Sequence, residues 1–136
     1  MSQGTIFAKT KRRIAAEEVT KIIGEPTTED INQLEIECAE IAAKFETGIF
    51  EGGDELGHMA MVVSQETYRE NSGIPTFLYT APARLAAFDE DLAGAAGPVL
   101  QKRRIAEHKR KIYEYELFKG VQQGLRERIL YAVDEQ

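Results

Sequence analysis

Thr27–Phe45, TTEDINQLEIECAEIAAKF, decides the class of fold. Thr27 followed three residues later by Asp30 has the spacing of a capping box, in which each residue's side chain accepts from the other's backbone N–H at a helix start. From there Ile31, Leu34, Cys38, Ile41, Ala42 and Phe45 recur at intervals of three and four. That spacing predicts a helix of roughly 18 residues with these side chains on one buried stripe. Cys38 is read as core, since the acids beside it, Glu37 and Glu40, favour the neutral thiol over a nucleophilic thiolate.

Downstream, Gly48 ends this helix and the peptide EGGDELGHMAMVV follows. Gly52, Gly53 and Gly57 allow sharp turning and close backbone approach, so the loop is expected to pack His58 or the apolar residues after it against the first helix, with His58 read as a structural, capping residue. Residues 59–63 are apolar but too few for periodicity to separate a strand from a helical turn. Ser64 is placed to cap a short helix over Gln65–Glu70 with Tyr68 turned inward, and Asn71-Ser72-Gly73 ends it. Residues 71–82, with two prolines and the run Thr76–Thr80, read as an extended covering segment.

Residues 83–92 permit a helix. Gly94-Ala95-Ala96-Gly97-Pro98 is a hinge whose proline suits the first turn of a long helix. Ile105, His108, Ile112 and Tyr115 form one seam of that helix, with Leu117 and Phe118 adding surface at its end. Phe118, Val121, Leu125, Ile129, Ala132 and Val133 form a second stripe, after Gly120 and Gly124 bend or split the helix. Asp134-Glu135-Gln136 still reads as helix, which suggests one piece of a longer reading frame.

Upstream, Arg12–Ile23 offers Ile14, Val19, Ile22 and Ile23 as a short helical face, or else a strand or an arm that orders on a partner. Lys9, Lys11, Arg12 and Arg13 make a basic group with the character of a solvated terminus, and less of a targeting signal or phosphate-contacting arm. The expected organisation is a basic arm or short helix over residues 1–25 and a helical association domain over 26–136. The fold class is mainly α: a small helical bundle with a glycine-rich loop and an extended covering segment.

Composition narrows the function classes. With 136 residues and 43% hydrophobic content, the chain is sized for one folded core. A single cysteine excludes an intramolecular disulfide and multi-cysteine zinc sites. No window approaches the ~20 apolar residues of a membrane-spanning helix, so no membrane role is expected and the simplest setting is the cytoplasm, with the nucleus as alternative. The net charge of −6 is unevenly spread: residues 25–57 hold ten acids and one lysine, whereas Lys102, Arg103, Arg104, Lys109, Arg110 and Lys111 crowd one stretch. That stretch suits a solvated helix face, and after it an acidic protein surface or phosphates.

Chemistry finds little foothold. His58 and His108 are fifty positions apart without a metal-ligand spacing around either. Glu35, Glu37, Glu40, Glu46, Glu51, Asp54 and Glu55 read as solvated carboxylates, and the GGDELGH loop lacks the lysine of a phosphate cradle. No catalytic residue, cofactor or metal is assigned.

The pieces PTTEDINQLEIECAEIA, EGGDELGHMAMVVSQETY, SGIP and RRIAEHKRKIYEYELFKGVQQGLRERILYAVDE, in this order, resemble the N-terminal part of Gag-like polyproteins from Copia-type retroelements. The resemblance covers about residues 26–135 and is most specific at the GGxxxGHxxxV-like turn before the H/R-rich ending. It implies a helical capsid-like segment that joins shell assembly around element RNA without enzymatic activity. Gly52, Gly53, Gly57 and His58 match its turn, and Arg104, His108, Tyr115, Leu125, Ile129 and Val133 its helical ending, as fold or assembly positions. The chain departs from the pattern in having no CCHC knuckle.

The leading expectation is therefore a module that self-associates or meets another protein. Phe77, Tyr79, Phe118, Val121, Leu125 and Ile129 supply the candidate association surface. One alternative is a small nucleic-acid-binding protein using the basic face of residues 102–111, and another a small enzyme centred on His58.

Overall fold

A computed structural model describes residues 4–82 and 98–133, and these residues are mainly helical. In order they form α1 (Gly4–Ala15), α2 (Thr28–Ala43), the single turn α3 (Gly53–Leu56), a 3-10 turn (Met59–Met61), α4 (Gln65–Ser72) and α5 (Pro98–Val133). Residues 83–97, with the expected helix and hinge, and 134–136 lie outside the described residues.

The caps explain why α2 and α4 start where they do. The Thr27 hydroxyl accepts from Asp30 N at 3.1 Å while the Asp30 carboxylate accepts from Thr27 N at 3.0 Å, so the capping box closes in both directions. Ser64 accepts from Thr67 N, and Gly73, at φ +74°, ends α4 in the left-handed conformation that favours glycine. Tyr68 of α4 is fully buried as expected.

The N-terminal segment departs from expectation. Residues 4–15, not 12–23, form the helix, and the chain from Ala16 to Pro26 runs without regular structure. Lys11 reaches Glu127 at 3.0 Å and the Arg13 guanidinium lies over the Phe45 ring, so the basic group partly serves packing within the chain. Ile14 and Ile22 are core residues, but Ile23 is exposed. Segments 1–25 and 26–136 thus share a core, because α1 lies along the second half of α5 and Ile22 N donates to Ala132 O at 2.8 Å.

Two glycines make that packing possible. Gly120 and Gly124 neither bend nor split α5, which runs unbroken for 36 residues, ~54 Å at the helical rise. They form a notch for α1: a Cβ at Gly120 would stand 2.8 Å from the Thr10 Cβ, and one at Gly124 would stand 2.9 Å from the Ile14 Cδ1. The Thr10 and Ile14 side chains thus lie closer to the bare α5 backbone than a Cβ there would permit.

The core has two linked parts. Ile14, Ile22, Leu34, Cys38, Ile41, Ala42, Phe45, Leu117, Val121, Leu125 and Ala132 fill the first, between α1, α2 and α5. Phe50, Ala60, Tyr68, Phe77 and Phe118 fill the second, beneath α4 and the covering segment. The extended segment is held down by Arg69, which donates to Phe77 O at 2.9 Å, and by Gln65, which accepts from Tyr79 N at 2.8 Å. Cys38 is buried, and burial together with the charges of Glu37 and Glu35 pushes its thiol pKa up to about 11, which fits a packing role.

Candidate association sites

The glycine-rich turn builds the C-terminal cap of α2. The last carbonyls of a helix have no partner within it and need donors from elsewhere. His58 supplies one to the helix and another just past its end: its backbone N donates to Ala42 O at 2.9 Å and its ring Nδ1 to Phe45 O at 2.6 Å. Gly57, at φ +55°, is what allows this approach, because a Cβ there would lie 2.5 Å from Ala43 O. Gly52, at φ +79°, begins α3, and Gly53 packs directly on the Thr47 carbonyl.

His58 itself is 0% exposed and sits edge-on to Phe50, with ring centroids 6.0 Å apart. Burial lowers its pKa below the ordinary value, against the opposing effects of the Phe45 carbonyl and the Glu114 charge. With Nδ1 committed to Phe45 O, the neutral imidazole leaves Nε2 buried without a hydrogen-bond partner. The imidazole is thus sealed from solvent, packed between Phe50 and Phe118. Among the described residues no group of three or more His, Cys, Asp or Glu is placed to hold a metal ion.

A residue that sequence reading missed secures the same turn from the other side. Glu114 of α5 accepts from the Thr47 hydroxyl at 2.6 Å and from Gly48 N at 3.2 Å. Nothing local in the sequence pairs positions 47 and 114, since the link exists only once α5 lies across the turn.

Four of the six candidate association residues are corrected by burial. Phe77, Phe118, Val121 and Leu125 all belong to the core, and so does Leu117; of these only Leu125 borders an open surface. Tyr79 and Ile129 remain partly open, and the structure joins them to residues not expected there. An open groove of about 530 Å³ runs between α2 and α5, walled by Ile31, Leu34, Cys38, Met61, Val62, Tyr79, Leu125, Ile129 and Leu130. Ile31, expected inside, is 48% exposed on one lip, while Ile129 and Leu130 are 39% and 57% exposed on the other. Glu35 and Arg126 are the charged groups of its wall, and neither has an ion pair among the described residues.

The six candidate phosphate-contacting cations all lie on the exposed first half of α5. Lys102, Arg103, Lys109 and Arg110 share one side of the helix at ~100° per residue, whereas Arg104 and Lys111 project elsewhere. Between the four lie Val99, Ala106 and Tyr113, seven residues apart and all exposed, Val99 at 73% and Tyr113 at 46%. This part of α5 is thus a narrow apolar line in a basic frame.

No family model matches the chain, and neither a curated protein nor a solved structure does. No helix among the described residues is long and apolar enough to cross a membrane.

Proposed function

We propose that this chain is a structural module whose work is self-association, without catalysis or cofactor, inside the cell. The observation that carries this reading is the groove between α2 and α5, where Ile31, Ile129 and Leu130 line a continuous apolar opening instead of closing it. Scattered exposed apolar residues are ordinary, but a contiguous concave patch ringed by polar groups marks a contact surface. Weak contacts of this kind become effective when repeated in an assembly. The order of motifs resembling Gag-like segments supports the same use, as part of a shell around RNA.

Sedimentation across a hundredfold concentration range tests the proposal. The mass is expected to rise above the 15.2 kDa of one chain, and to fall back when Ile129→Glu places a charge in the groove. A wild-type mass fixed at one chain throughout would refute it.

The second reading, nucleic-acid binding, draws on Lys102, Arg103, Lys109 and Arg110 sharing a face with Tyr113, an arrangement suited to phosphates and one stacked base. It predicts oligonucleotide binding that weakens steeply with salt and is lost after charge reversal at Lys102 and Lys109. Absence of binding at low salt would remove it.

A further inference from the structure

The groove is concave and cannot fill itself, so the shape of its occupant is the next question. A helix with a narrow apolar line is the element that beds into such a groove, with residues about one or two turns apart as anchors. The described part of the molecule displays one: Val99, Ala106 and Tyr113, flanked by Lys102, Arg103, Lys109 and Arg110, along the first half of α5. From Val99 to Tyr113 this ridge is ~21 Å long.

Charge favours the approach of the two regions, although the groove wall itself carries only Glu35 and Arg126, one charge of each sign. The segment 25–57, which contains α2 and one wall of the groove, holds ten acids and one lysine. The ridge carries four of the six cations of segment 102–111, Lys102, Arg103, Lys109 and Arg110. Opposite fields of this size steer approach and fix orientation. Glu35, without an ion pair among the described residues, stands on the α2 wall of the groove as the group a flanking Lys or Arg of an incoming ridge would meet, with Arg126 on the α5 wall.

The ridge cannot enter the groove of its own chain. Gln122, Leu125, Arg126, Ile129 and Leu130, which form one groove wall, lie further along the same unbroken helix as Val99–Tyr113. At ~100° per residue the two sets project from roughly opposite sides of that helix. Bringing them together within one molecule would require breaking α5. Between molecules it requires only a shift and a turn.

We therefore propose that self-association is head to tail: the basic ridge Val99–Tyr113 of one copy docks in the α2–α5 groove of a second copy. This rests on the self-association reading above and specifies its geometry. Each copy then keeps one ridge and one groove free, so the contact is heterologous and propagates into a chain or ring instead of stopping at a two-fold pair.

Mixing two blocked variants tests this. Ile129→Glu closes the groove and keeps the ridge, while the double reversal Lys102→Glu/Lys109→Glu spoils the ridge and keeps the groove. Both are to be measured by sedimentation at a concentration where wild type is associated, with thermal melts to show that each is folded. Leu130→Lys replaces Ile129→Glu should the latter melt early.

Each variant alone is expected at the mass of one chain, and the equimolar mixture at the mass of a pair, since one intact ridge meets one intact groove. Self-association of the ridge variant at wild-type strength would overturn the proposal in favour of groove meeting groove. If that variant at the same time loses oligonucleotide binding, the ridge belongs to nucleic acid and the proposal also falls. A mixture that stays at one chain's mass while wild type associates would overturn it as well. Wild type that never associates defeats the underlying reading, and this inference with it.

Discussion

The two halves of α5 are one continuous helix with opposite fates. Its second half is notched by Gly120 and Gly124, receives α1, and buries Leu117, Phe118, Val121, Leu125 and Ala132. Its first half leaves Val99, Lys102, Arg103, Ala106, Lys109, Arg110 and Tyr113 in solvent. Helix propensity does not separate them, because both are rich in good helix formers. The difference lies in what is available to pack: α1 has a notch to enter only where α5 lacks side chains. One helix can thus anchor a core at one end and present a surface at the other.

The largest effect expected from breaking this contrast comes from filling the notch. Gly124→Leu would drive a side chain into Ile14, which already stands 2.9 Å from where a Cβ would be. It should cost about 3 kcal/mol of stability, the upper range for overpacking. The matched change in the open half, Ala106→Gln, should stay within about 0.5 kcal/mol. Urea unfolding of both variants decides the matter, and similar values would mean that α1 does not depend on the notch.

The same contrast explains what could be read from the sequence. Capping signals are local, so the capping box at Thr27 and Asp30, the Ser64 cap and the Gly73 stop place α2 and α4 closely. α1 carries no such signal, since no acid lies in its first turn. Its neighbour far along the chain is Glu116, whose carboxyl is buried near the Phe7 backbone. Burial raises the pKa of that carboxyl above its usual range.

Periodicity gives the side of a helix on which a residue lies, not what stands opposite. It placed Ile31 and Ile129 on apolar stripes correctly, yet the space between α2 and α5 stays open and leaves both half-exposed. Gly120 and Gly124 read as breaks because a glycine's cost is local, while its benefit here belongs to a second helix. The glycine-rich turn was legible as a turn holding His58. Its partner Glu114 was not, for a carboxylate on an exposed-looking helix gives no sign of the backbone it will meet.

A pH titration sharpens the contrast at the junction of the two core parts, where His58 packs near Phe118 with ring centroids 6.2 Å apart. Burial holds the His58 pKa below its ordinary value of 6.5, so the unfolded chain binds the proton more readily than the folded one. Stability should therefore fall as pH drops below about 6.5, with the loss accumulating down to the lowered folded value. His58→Asn keeps a donor for the Phe45 carbonyl and cannot titrate. Its stability should lack this slope between pH 6.5 and 5, as read by urea midpoints, and a slope equal to wild type would show that other groups carry it.

The smallest effect concerns charge in the packed half. Lys11 and Glu127 join α1 to α5 at 3.0 Å, and the bond to Lys11 helps hold the Glu127 carboxyl below its usual range. Both side chains are about a third exposed or more, so solvent and salt screen the pair and a geometry this good still counts for little. A double-mutant cycle with Lys11→Ala and Glu127→Ala should give a coupling of about 0.5 kcal/mol, shrinking further in 1 M salt. Set beside the expected loss from Gly124→Leu, such a value would mean that α1 is held by shape and the ion pair only trims its register. A coupling of about 2 kcal/mol would reverse that order and make the charge, not the glycine notch, the reason one half of α5 is covered and the other is left open.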